Sequence, residues 1–155
     1  MKISLRDVTR ENFWSCILLK SMNYKGLHLF EEHVTSNAFS LAQAKVETEW
    51  IPKAIYADDQ LVGFTMYGFE MKNSFYFITR LMIDYRHQGK GYGKAAMLLV
   101  IEELKNMGTQ EIYTSFVSTN EGAKKLYSSI GFRFTGREIE FGEEKEPLYC
   151  LNLNN

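Results

Sequence analysis

Between an apolar run of β character and a long apolar helical stretch, the chain reads Gln88-Gly89-Lys90-Gly91-Tyr92-Gly93-Lys94, with three alternate glycines. Phe75 to Asp84, before it, is rich in aromatic and β-branched residues. Ala95 to Met107, after it, has helical periodicity and is closed by Gly108. A strand must therefore feed a helix N-terminus through a glycine turn. Backbone N–H groups and the positive end of the helix dipole face such a turn, and glycines let an anion reach the main chain. Lys90 and Lys94 add positive charge beside it. The stretch reads as a phosphate cradle.

The rest of the chain has to build a support for that turn. At 155 residues with 45% hydrophobic side chains it is the size of one domain with a real core. Two prolines, and no linker, repeat or low-complexity tract, give no boundary, so a single domain over residues 1–155 is expected. Eighteen basic residues against nineteen acidic ones leave a net charge of −1. No global positive field draws the chain to nucleic acid or an anionic membrane, and a small or cationic partner fits better. Cys16 and Cys150 form neither a CxxC motif nor a disulfide framework. With no signal-peptide core at the N-terminus and no run of membrane-spanning length, a cytoplasmic location is expected.

In chain order, residues 2–8 read as a strand, and Thr9 is placed to cap a helix from about Arg10 to Met22. Residues 24–34 show no clean period and read as loop or broken helix. A second helix, about Asn37 to Trp50, is ended by Pro52. Lys53 to Ala57, Leu61 to Phe69 and Phe75 to Asp84 form a meander, with turns at Asp58-Asp59-Gln60 and Lys72-Asn73-Ser74. Gly63 and Gly68 within the second of these strands mark bends or close backbone approach. Glu111 to Ser118 follows the long helix as a strand parallel to the one from Phe75 to Asp84. Asn120 caps a short helix that puts Ala123, Leu126, Tyr127 and Ile130 on one face and ends at Gly131. Strands over Phe132 to Phe141 and Leu148 to Leu153 complete the order β α α β β β α β α β β. The fold class is α/β (α+β), a mixed, mostly antiparallel sheet with helices on both faces.

Two common phosphate motifs fail at the glycine turn. From Gly89, the last glycine of GxGxxG falls on Lys94, and no GK[ST] follows at Walker A spacing. The segment Gln88-Gly89-Lys90-Gly91-Tyr92-Gly93 instead resembles the Q/R-x-x-G-x-G/A motif of the GNAT superfamily of N-acetyltransferases. Asn120 through Phe132, NEGAKKLYSSIGF, resembles that family's second signature, N-x-x-A-x-x-x-Y-x-x-x-G-F. The likeness covers nearly the whole chain. It implies acetyl-CoA as co-substrate, with its pyrophosphate on the amides of Gln88, Gly89, Lys90, Gly91, Tyr92, Gly93 and Lys94. It places the acetyl-pantetheine arm along Leu81, Met82 and Ile83 and beside Asn120. Tyr127 becomes the acid for the departing thiolate; by pattern alone it is a core aromatic, and an amphipathic tyrosine can be both.

Acetyl transfer to an amine also needs a base, because an amine of pKa near 10 is mostly protonated at neutral pH. Threonine cannot serve, and Thr79 stands where polyamine acetyltransferases often carry an acid. A water held by Glu70, Tyr76, Asp84 or an acid of the first half is the open set. Residues 36–44 and 61–68 resemble the bacterial spermine/spermidine branch. A polyamine favours spaced carboxylates and aromatic walls, for which Glu32, Phe39, Glu47, Glu49 and Trp50 are of the right types. Each of these acids equally suits a solvated helix face. Other amines, a protein N-terminus, or a CoA-binding module without turnover stay open as alternatives, and the resemblance implies a homodimer whose last strands offer edges. His28 and His33 match no metal-ligand spacing, so no metal is expected.

Overall fold

The computed structural model describes residues 1–21, 36–141 and 143–154. Their elements are β1 (Ile3–Asp7), α1 (Phe13–Leu18), α2 (Asn37–Val46), β2 (Trp50–Ala57), β3 (Gln60–Glu70), β4 (Phe75–Ile83), a 3-10 turn at Tyr85–His87, α3 (Tyr92–Asn106), β5 (Glu111–Ser115), α4 (Glu121–Ile130), β6 (Arg133–Phe141) and β7 (Glu144–Asn152). The order matches the sequence reading. Seven strands form one sheet in the order β1-β2-β3-β4-β5-β7-β6, antiparallel throughout except for the parallel β4–β5 pair that α3 connects. Leu104, Val100 and Met97 of α3 pack with Ile78, Ile112 and Tyr127 on one face. On the other, Leu19 packs with Trp50, Phe64, Phe77, Met82 and Leu148, and Leu41 and Ala44 of α2 lie against them.

Several boundaries differ from expectation for local reasons. Helix α1 starts at Phe13, because Asn12 folds residues 9–12 into a turn: the Thr9 N–H donates to Asn12 Oδ1 at 2.7 Å. Helix α2 is capped by Ser36, whose hydroxyl accepts from the Phe39 N–H at 3.1 Å, and it ends at Val46. Trp50 therefore belongs to a strand. Pro52 does not terminate a helix; it sits in β2 just past the end of the β1 pairing at Asp7–Lys53, where a missing N–H is tolerated. Strand β7 begins at Glu144, not Leu148, because residues 144–147 pair with β6 beyond the end of β5. A side chain at Gly63 would collide with the Met82 carbonyl and one at Gly68 with the Glu49 carbonyl, so both glycines mark close backbone approach.

One irregularity shapes the centre of the sheet. Tyr67 pairs with Ile78 and Met66 with Arg80, which leaves Thr79 as an extra residue in β4. Such a bulge bends its strand and sharpens the local twist. The parallel pairing of β4 with β5 stops at Ile78–Thr114, immediately before it. The bulge also resets the alternation, so Arg80 turns toward α2 together with Met82, while Leu81 and Ile83 face α3.

Candidate active site

Past Ile78, strands β4 and β5 separate, and the gap is a cavity of about 690 Å³. Leu81, Met82 and Ile83 line one wall with a β4 edge that β5 no longer pairs. Gln88, Gly89, Gly91, Tyr92, Gly93 and Lys94 line one end; Asn120 and Tyr127 line the other wall. The two sequence signatures, far apart along the chain, thus face one space. Lys90 is exposed and outside the lining.

The glycine end is built by backbone geometry. Gly89 and Gly91 adopt left-handed conformations, φ 77° and 81°, which a side chain would disfavour by about 1–2 kcal/mol. Gly91 caps α3 with no side chain, so the first-turn amides of that 15-residue helix point outward at the cavity rim. Gln88 Nε2 donates to the Ile83 carbonyl at 2.9 Å and ties the turn to the end of β4. This is an anion-binding arrangement. Asn120 caps α4, its Oδ1 accepting from the Ala123 N–H at 3.0 Å.

Tyr127 is 7% exposed, with its ring against Phe116 and Phe132. Burial pushes its phenol up to about 12; the Thr114 hydroxyl opposes that shift and the charge of Glu146 adds to it. It is at once a core aromatic and a protonated hydroxyl group lining a cavity. Two polar residues that sequence patterns did not single out share this end. Arg80 is 8% exposed; its Nε donates to Ser40 Oγ at 3.1 Å, Nη2 to Gln43 Oε1 at 3.0 Å and Nη1 to Thr79 Oγ1 at 2.5 Å. Burial lowers it to about 10, against the charges of Glu146 and Glu47, so it stays a cation. Glu146, 6% exposed, accepts from Ser115 Oγ at 2.8 Å. The alternation of β7 puts Glu146 on the same face as Leu148, hence on the α2 side with Arg80 and Met82.

The residues expected along an acceptor groove do not gather here. Trp50 is a core residue packed with Phe64 and Phe77. Phe39 is exposed on α2, and Glu47, past its end, accepts from Gln43 Nε2 at 2.7 Å; Glu49 sits in the turn before β2. None of the four lines the cavity. Glu32, with His28 and His33, lies outside the described residues. Among the open set of base candidates, Glu70 accepts from the Asn73 N–H at 2.7 Å and borders a separate cleft of about 250 Å³. Tyr76 packs edge-on against Phe69, and Asp84 is bound to Arg86 Nε at 2.7 Å. No group of three His, Cys, Asp or Glu suited to a metal occurs among the described residues. No described helix is long and apolar enough to cross a membrane.

The sequence profile of the acetyltransferase (GNAT) family matches residues 17–132, and the chain belongs to that family: it is an N-acetyltransferase. It is 32% identical to the spermine/spermidine N(1)-acetyltransferase of Bacillus subtilis strain 168, over 94% of this chain and 96% of that protein. Its fold is similar to that of an acetyltransferase from Thermus thermophilus, with a TM-score of 0.74, 18% identity, and 99% and 98% of the two chains covered. It is likewise similar to the spermidine/spermine N-acetyltransferase SpeG of Vibrio cholerae, with a TM-score of 0.71, 18% identity, and 99% and 96% covered. A third similar fold is PaiA N-acetyltransferase from Thermoplasma acidophilum, solved in complex with coenzyme A, with a TM-score of 0.69, 15% identity, and 98% and 99% covered.

Proposed function

We propose that this protein transfers the acetyl group of acetyl-CoA to a primary amine of a polyamine, spermidine or spermine, by direct attack in a ternary complex. The observation that carries the donor half is the continuous cavity that runs from the glycine turn, along the edge of β4 that β5 leaves unpaired, to Tyr127. The pyrophosphate takes the amides at Gly89, Gly91 and the start of α3, with Lys94 beside it. Main-chain groups of Leu81, Met82 and Ile83 pair with the pantetheine amides as a strand edge does. A backbone N–H of this edge steadies the oxyanion, and the Tyr127 hydroxyl protonates the thiolate.

Direct attack is supported by the state of the two thiols. Burial raises Cys16 to about 11; burial also raises Cys150, against the Tyr113 hydrogen bond. Neither lines the cavity. An acetylated cysteine intermediate would need a thiolate at the reacting end. The acceptor class is supported by the likeness to the Bacillus subtilis enzyme along nearly the full length of both chains.

The test is mass spectrometry of products from a mixed-amine reaction with acetyl-CoA, alongside free-thiol release. Acetylspermidine or acetylspermine as the main product is expected. A product on a different amine would keep acetyl transfer and overturn the polyamine, and no product with any amine would overturn the reading as a whole.

A further inference from the structure

We propose that Glu146 receives the acceptor's ammonium group at the acetyl-transfer end of the cavity and takes its proton. The inference rests on the acetyl-transfer reading above. It stands on placement. Glu146 is buried, lines the same cavity as Tyr127, and is held by the Ser115 hydroxyl at 2.8 Å. Its strand position is fixed by pairing with Ile139, and the chain beyond it is stiffened by Pro147, which pairs with Glu138 at an irregularity of β6. Because β5 ends at Ser115 opposite Leu148, Glu146 projects where the sheet has opened.

The surroundings suit a cation that arrives and then loses charge. Arg80 of β4 and Tyr127 of α4 are charged or titratable groups that bear on this end, with Glu47 acting on Arg80 in turn. A carboxylate in a low-dielectric cavity attracts an ammonium far more strongly than one in water. Of the acids considered as the base, Glu70 and Asp84 do not line the cavity.

The step balances. One ammonium proton passes to the Glu146 carboxylate, and the freed nitrogen pair forms the C–N bond to the thioester carbonyl. The C–S bond breaks with its electron pair on sulfur, which takes the Tyr127 proton. The second nitrogen proton returns to the phenolate, and Glu146 releases its proton to solvent.

The test compares wild type, Glu146→Gln and Glu146→Asp on the best acceptor of the amine panel, across pH. In Glu146→Gln, kcat/KM at pH 7 should fall about 10²-fold or more. The deficit should shrink as pH approaches the amine's own pKa of about 10, where free amine no longer needs a base. Acetyl-CoA affinity and thermal midpoint should be unchanged, and Glu146→Asp should keep the wild-type pH limb at reduced kcat/KM. A kcat/KM within twofold of wild type with the same pH profile would overturn the proposal. Should wild type prefer a non-polyamine, the polyamine reading fails while this comparison still decides Glu146. Should it turn over no amine, spermidine is titrated calorimetrically into CoA-saturated protein: binding lost in Glu146→Gln supports the assignment, and binding that is unchanged, or missing in wild type, overturns it.

Discussion

At the residue scale, Tyr127 shows how one side chain answers two demands. Its ring closes a core with Phe116 and Phe132, and its hydroxyl lines the cavity beside Thr114 and Glu146. A phenol pushed up to about 12 by burial keeps its proton at neutral pH, as a donor to a thiolate must. Tyr127→Phe should therefore lower kcat by about 10²-fold or more while acetyl-CoA still binds and stability changes by less than about 1.5 kcal/mol, since the ring is kept. Steady-state kinetics with calorimetry checks this, and an unchanged kcat would remove the hydroxyl from the chemistry. Tyr127 was legible because it stands in a signature with fixed spacing. Glu146 was not, since residues 142–147 fall between the two last expected strands and only the pairing with β6 places Glu146 in a strand. Trp50 was misplaced for a related reason: its apolar periodicity continues that of α2, yet Gly68 lets the Trp50 backbone pack close and start a strand.

At the element scale, the connection from β4 through the glycine turn to α3 followed directly from sequence, since glycine spacing and apolar periodicity are local signals. What local signals do not carry is register. Neither the bulge at Thr79 nor the early parting of β4 from β5 can be seen without the partner strands. The turn itself gives a sharp expectation. Gly91 caps α3 in a left-handed conformation, one that aspartate adopts more readily than most residues, and its Cβ would meet no neighbour. Gly91→Asp should leave the fold intact, with a loss of about 1–2 kcal/mol, while placing a carboxylate in the proposed phosphate cradle. Calorimetric titration with acetyl-CoA should show binding lost; retained binding would sink the phosphate-cradle assignment.

At the scale of the whole molecule, Asp84 joins the two halves. Its Oδ2 accepts from the Lys20 N–H at 3.1 Å and its Oδ1 from Arg86 Nε at 2.7 Å, and the Tyr85 N–H donates to the Lys20 carbonyl at 2.8 Å. Burial alone would raise the Asp84 carboxyl, but the hydrogen bonds from Arg86 and Lys20 outweigh it and hold the group below the usual carboxylate range. A depressed folded-state value means its stabilisation is fully present above the unfolded value of about 3.9 and is lost as pH falls through the folded value. Asp84→Asn should accordingly cost about 2 kcal/mol in urea unfolding at pH 7, and the gap to wild type should narrow in acid as pH falls below the unfolded value of about 3.9. An undiminished gap there would show that the loss is not one of charge. The bulge at Thr79 has a consequence of the same reach. β4 carries one residue more than β3 can match, and its pairing with β5 stops immediately before that surplus residue, where the cavity opens. The opening in the sheet therefore coincides with a miscount between strands, one residue too many in the strand that lines the cavity.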